Sequence, residues 1–185
     1  GKGLGNQFLS DLNEADVLVH VVDFSGETDL EGEATENHDP REDIAFLENE
    51  LDMWYLDVLT KGIERHLSGY HGGEGDVEKA LAKQMDDFGI VEEEIKQVIL
   101  GQGIGFDPEE WDEAEREELA REIRKRTKPV VIAANKMDTP AAQTNWDEIT
   151  AEERYDHLDF VSVSAHAEKS LKKAAEAGVV DCTPG

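Results

Sequence analysis

Apolar residues recur along this chain with two different periods, and the switch between them divides it. Val17-Leu18-Val19-His20-Val21-Val22-Asp23 is apolar almost throughout and ends on an acid. That pattern predicts a buried strand of a parallel sheet covered on both faces. Pro129–Ala134 and Phe160–Ser164 repeat it. Between the first and second of these strands, Ile44, Leu47, Leu51, Trp54, Val58, Leu59 and Ile63 recur with the 3.6-residue period. They predict a long helix that opens at Asp39-Pro40 and reaches about Leu67. Glycines from Gly69 to Gly75 break it, and residues 25–39 read as a polar loop. Two shorter helices are predicted over Val77–Phe88 and Val91–Leu100 with a turn at Gly89, and a further one from Asp107-Pro108 to about Lys125. A short amphipathic helix through Phe8, Leu9 and Leu12 precedes the first strand, and another over about Glu168–Ala177 follows the third.

Strand–helix alternation interrupted by a strand-free block predicts an α/β fold, a parallel sheet of about three strands with a large all-helical insertion. The expected parts are residues 1–39, the helical insertion 40–126, and the remainder 127–185. A chain of 185 residues buries enough surface to hold a core without disulfides. Cys182, the single cysteine, excludes an intrachain disulfide and fits a reducing, cytoplasmic setting. No apolar run approaches the ~18 residues of a membrane span.

Charge changes the picture of partners. Lys and Arg number 18 against 44 Asp and Glu, a net of −26. Such a field opposes binding to DNA and to anionic membranes. The acids are spread along the whole chain, as on a carboxylate surface tolerated when salt screens it. A salt-rich, halophilic cytoplasm is the favoured reading over an acidic docking surface.

The candidate chemistry lies at Asn135-Lys136-Met137-Asp138, directly after the second strand, and at Ser164-Ala165 after the third. Open α/β sheets bind ligands at the carboxyl ends of their strands. A fixed Asp138 carboxylate can accept from guanine N1–H and from its 2-amino group. Adenine would leave it unmatched, at a cost of about 1–3 kcal/mol. Asn135 can meet the N7 edge and brace neighbouring loops. The Lys136 stem can lie along the base, and the Ala165 N–H can donate to O6.

Taken with Gly1–Leu9, His20–Asp23, Asp39–Trp54, Lys128–Asp138 and Lys172–Gly185, these motifs resemble the Obg-related GTPases, in their YchF-type branch and closest to its archaeal form. The resemblance covers nearly the whole chain. It implies a P-loop G domain with a partly coiled-coil helical insertion, slow nucleotide hydrolysis, and a ribosome or translation factor as partner. Some members of that family prefer ATP where the base motif departs from Asn-Lys-x-Asp. This chain keeps the motif, so GTP is expected. No Gly-x-x-x-x-Gly-Lys-Ser/Thr occurs. The resemblance places the phosphate loop, both switches and the Mg2+ ligands before Gly1, and a ubiquitin-like (TGS) domain after Gly185. Gly1–Gly5 would then end the second switch, and the chain would be a fragment without GTPase activity and without catalytic residues of its own. The same topology puts Val17–Asp23 innermost of the three strands with an open edge, through which self-association is expected.

Weaker signals have plain readings. Gly101–Gly105 is read as an interhelical turn, and His66 and His71, near Glu74 and Asp76, as solvated loop residues with no metal. Asp23 is read as a loop start, and Trp54 and Tyr55 as core. The basic cluster Arg121, Arg124, Lys125, Arg126 and Lys128 reads first as the cationic end of a helix and second as an RNA contact.

Overall fold

Parallel pairing begins where the chain leaves Leu18 and returns at Pro129: Leu18 N–H donates to Pro129 O, and six residues on Phe24 N–H donates to Asn135 O. The structure, a computed structural model, describes Leu12 and residues 15–66 and 75–181. In chain order these form β1 (Leu18–Asp23), α1 (Pro40–His66), α2 (Asp76–Gln84), α3 (Glu92–Gln102), α4 (Glu113–Thr127), β2 (Val130–Asn135), α5 (Pro140–Ile149), β3 (Asp159–Ser162) and α6 (Ala165–Glu176). Short 3-10 turns lie at Asp86–Phe88 and Glu153–Tyr155. The strands form one three-stranded parallel sheet in the order β1-β2-β3, with Val131 opposite Asp159 and Ala134 opposite Ser162. The expected helix through Phe8 and Leu9, the second-switch reading of Gly1–Gly5, His71 and Cys182 lie outside the described residues.

The chain divides into two compact units, Gly1–Leu18 with Leu47–Pro129, and Val19–Phe46 with Val130–Gly185. In the first, α1 contributes Tyr55, Leu59 and Ile63 to a core shared with Val77 and Leu81 of α2, Ile95 and Ile99 of α3, and Leu119 and Ile123 of α4. The Phe88 ring lies tilted against its neighbours, its centroid 4.3 Å from that of Tyr55 and 4.9 Å from that of Trp54. Gly62 lies within α1 because α2 approaches closely there: a Cβ would stand 2.7 Å from Gln84 Cγ. Gly103, at φ 71°, closes α3 in the left-handed conformation, so the Gly101–Gly105 stretch is a helix end.

The fourth helix starts later than Asp107-Pro108 predicts. Glu110 N–H donates to Asp107 O in a turn, and the buried Trp111 anchors the segment by donating Nε1–H to Gly105 O at 2.8 Å. Asp112 then caps α4, paired reciprocally with Glu115.

The basic cluster is engaged within this unit. Arg124, 2% exposed, donates Nε–H to Asp52 at 2.7 Å and Nη2–H to Glu48 at 3.0 Å, joining α4 to α1. Arg121 pairs with Asp52 and Glu118, Lys125 with Glu122, and the buried Lys128 donates to Ala15 O. These partners favour the structural reading of the cluster over an RNA surface.

In the second unit, Val22, Ile132 and Ala134 are buried with Phe24, Ile44, Ala142, Ile149 and Tyr155. Phe160 meets Phe24, Trp146 and Tyr155 at 6.2–6.5 Å. Arg41 holds the start of α1 to the segment after α5 through Glu152 at 2.6 Å. The expectation of a sheet covered on both faces needs correction. On β1, Val19 and Val21 are 64% and 62% exposed while Leu18 and Val22 are buried, so the strand alternates. The physical reason is that too little packs on Val19 and Val21 to shield them; α6, amphipathic though it is, likewise buries none of its residues.

Candidate functional site

Three chain segments converge at the carboxyl end of the sheet in the second unit. The first is the turn after β2, residues 135–139. Lys136 takes the left-handed conformation at φ 64°, unusual for a residue with a side chain. Thr139 holds the turn there, since its N–H and its Oγ1–H both donate to Lys136 O at 3.0 Å. Thr139 then caps α5 by accepting from Ala142 N–H, and Pro140 fills the first helical position. The pattern of apolar positions had not announced this helix because it buries only Ala142 and Ile149; its Thr-Pro start was the legible signal.

The second segment follows β3. Val163 N–H donates to Ala134 O, and Met137 N–H to Val163 O, so the two motif loops are laced by backbone bonds. Ser164 caps α6 by accepting from Ala167 N–H and donates Oγ–H to Asp138 Oδ1 at 2.5 Å. Ala165 N–H donates to Asn135 Oδ1 at 3.1 Å. All five candidate residues, Asn135, Lys136, Asp138, Ser164 and Ala165, are thereby brought together from positions up to 30 apart in sequence. Asp138 and Ala165 are exposed. The Ser164 hydroxyl, and then the residue's own backbone, hold the Asp138 carboxyl below its ordinary pKa, so it is ionised at neutral pH. The Ala165 N–H is donated to Asn135 here, while sequence reasoning assigned it to a ligand O6.

The third segment, residues 23–28, was not foreseen as part of the site. Asp23 Oδ1 accepts from Ser25 N–H at 2.9 Å and Ser25 Oγ–H at 2.7 Å. Its Oδ2 accepts from Thr28 N–H at 3.1 Å, Thr28 Oγ1–H at 2.7 Å and Lys136 Nζ at 2.9 Å. Glu27 adds a second carboxylate to Lys136 at 3.2 Å. Burial works to raise the Asp23 pKa, but the donors Thr28, Ser25 and Lys136 outweigh it and bring it down to about 2. Burial likewise opposes the Lys136 charge, and the bonds to Asp23 and Glu27 overcome it and raise its pKa. The loop folds back because Gly26, at φ 70°, lets His38 O approach to 2.5 Å from where a Cβ would stand. The one signal in the sequence was an acid ending a strand at the sheet's ligand edge.

Comparisons with known proteins return mainly GTP-binding proteins. Residues 133–185 match the family described as "Obg-like GTPase YGR210-like, G4 motif-containing domain". An uncharacterized GTP-binding protein of Methanocaldococcus jannaschii is 42% identical over 180 residues, 97% of this chain and 44% of that protein. One from Schizosaccharomyces pombe is 34% identical over 185 residues, 100% of this chain and 45% of its own. The crystal structure of a GTP binding protein from Pyrococcus horikoshii OT3 superposes with a TM-score of 0.78 at 37% identity, covering 96% of this chain and 51% of that one. The ribosome-binding ATPase YchF of Escherichia coli O157:H7 is a more distant, partial match, 34% identical over 83 residues, 44% of this chain and 22% of that protein. The chain thus spans about half the length of the first relatives it matches.

Proposed function

We propose that this chain, a relative of the Obg-like GTP-binding proteins, carries the guanine-reading site of a GTP-binding protein. One observation carries the reading: an ionised, exposed Asp138 is fixed by Ser164 while Asn135 bridges to Ala165 beside it. A carboxylate with one oxygen already anchored keeps acceptor capacity for the N1–H and 2-amino group of guanine. Asn135 keeps its amide donors for N7, and its bond from Ala165 N–H is one that a ligand O6 can share. The Lys136 stem lines the base.

In the whole protein we propose GTP binding with slow hydrolysis in the cytoplasm, in association with ribosomes or a translation factor, and membership of a YchF-type, archaeal branch. The net charge of −26 supports a salt-rich setting. The second reading, a helical module for ribosomal or factor partners, draws on the first unit having its own closed core. An ATP preference is disfavoured by the intact Asn135-Lys136-Met137-Asp138. Magnesium is part of this proposal for the whole protein only, as the resemblance implies; among the described residues no group of three His, Cys, Asp or Glu could hold a metal ion.

The test compares guanosine with inosine, which lacks the 2-amino group, and GDP with XDP. The unaltered chain should favour guanosine over inosine. Asp138→Asn should lose that preference and shift towards XDP, because an amide can donate to the 2-keto oxygen. An unaltered preference in that variant would sink the base-reading role.

A further inference from the structure

We propose that Asp23 is a positioning residue for the base site, holding the head of Lys136 so that the lysine stem stands as a fixed apolar wall beside Asn135 and Asp138. The proposal rests on the guanine-reading role above and assigns a part to a residue outside both motifs. Lys136 leaves the backbone within the left-handed turn after β2, and its ammonium ends between Asp23 at 2.9 Å and Glu27 at 3.2 Å. Its four methylenes must therefore span from that turn to the end of β1. A lysine stem otherwise samples many rotamers, and ordering it on ligand binding costs conformational entropy. Here the stem is ordered before any ligand arrives, the general route by which preorganisation raises affinity.

Asp23 suits this task better than Glu27 does. Its side chain is 13% exposed against 65% for Glu27, so its charge is less screened. Four further donors from Ser25 and Thr28 fix its plane, which leaves the carboxylate no freedom to follow a wandering ammonium. The same bonds fold residues 24–28, so the loop and the lysine share one anchor.

The test is GDP titration of the full chain, followed by the amide resonances of Ser164 and Ala165, in a double-mutant cycle. Asp23→Asn should weaken GDP binding three- to tenfold while leaving the preference for guanosine over inosine intact. Lys136→Met should give a similar loss, and the double variant should bind no more weakly than the worse single one. Multiplying losses, or an Asp23→Asn variant that binds like the unaltered chain, would overturn the proposal while leaving the base-reading role standing. Failure of the unaltered chain to prefer guanosine, with Asp138→Asn also without effect, would instead remove the base reading and this proposal with it. Should Asp23→Asn not fold, the Lys136 ammonium of the unaltered, ligand-free chain decides. Slowly exchanging Nζ protons at pH 6 support the anchor, and an ammonium that exchanges as fast as those of exposed lysines refutes it.

Discussion

Each of the two units withdraws a charged side chain from solvent, Arg124 wholly and Asp23 in part, and they use it differently. In the helical unit Arg124 is fully enclosed and answered by two carboxylates on one facing helix, Glu48 and Asp52. In the sheet unit Asp23 is answered mostly by neutral donors of its own loop, with Lys136 as the one cation among the described residues reaching it from another element. The first arrangement fastens helix to helix around a core closed on itself. The second shapes loops at the end of a sheet whose other face, at Val19 and Val21, stays open. Charge burial therefore serves packing in one unit and the placement of binding groups in the other.

The comparison breaks most visibly at Arg124. Arg124→Ala removes the enclosed cation that Glu48 and Asp52 share and leaves Arg121 on Asp52, and removing one partner of a buried pair costs about 3–5 kcal/mol. Urea unfolding followed by tryptophan fluorescence should show that loss. Amide exchange should rise over α1 and α4 and stay unchanged at Val22 and Ile132.

A smaller effect sharpens the difference within a single strand. Val22→Thr buries a hydroxyl among apolar neighbours and should cost about 1–3 kcal/mol. Val21→Thr, one residue away on the open face, should stay within about 0.5 kcal/mol. Equal costs would mean that something covers the face in solution.

The smallest expected effect is local and appears on acidification. The Asp23 carboxyl has its pKa depressed to about 2 in the folded state, against about 4 for an ordinary aspartate. Its contribution is thus complete above about pH 4 and is lost as the pH falls through about 2. The Ser25 and Thr28 amide resonances should move with a midpoint near pH 2. A midpoint near 4 would show that the donors do not hold the carboxylate.

Where periodicity was strong, the residues alone announced the structure. The spacing from Ile44 to Ile63 gave α1 nearly to its ends, because a long apolar stripe has one way to be buried. The three apolar runs gave β1, β2 and β3 within a residue or two, and a parallel sheet with them. Asn135, Asp138 and Ser164 were legible as candidates because their residue types stand at or just past the ends of strands. What escaped depended on partners far along the chain. The start of α4 at Glu113 follows from Trp111 docking on Gly105 O, where Pro108 alone pointed to an earlier start. The place of Asp23 depends on Lys136, 113 residues later, and an acid at a strand end carries no mark of the cation it will meet. The alternation of β1 between buried and exposed valines was hidden for the same reason. Sequence records that a residue is apolar, and only the tertiary arrangement decides whether anything packs against it.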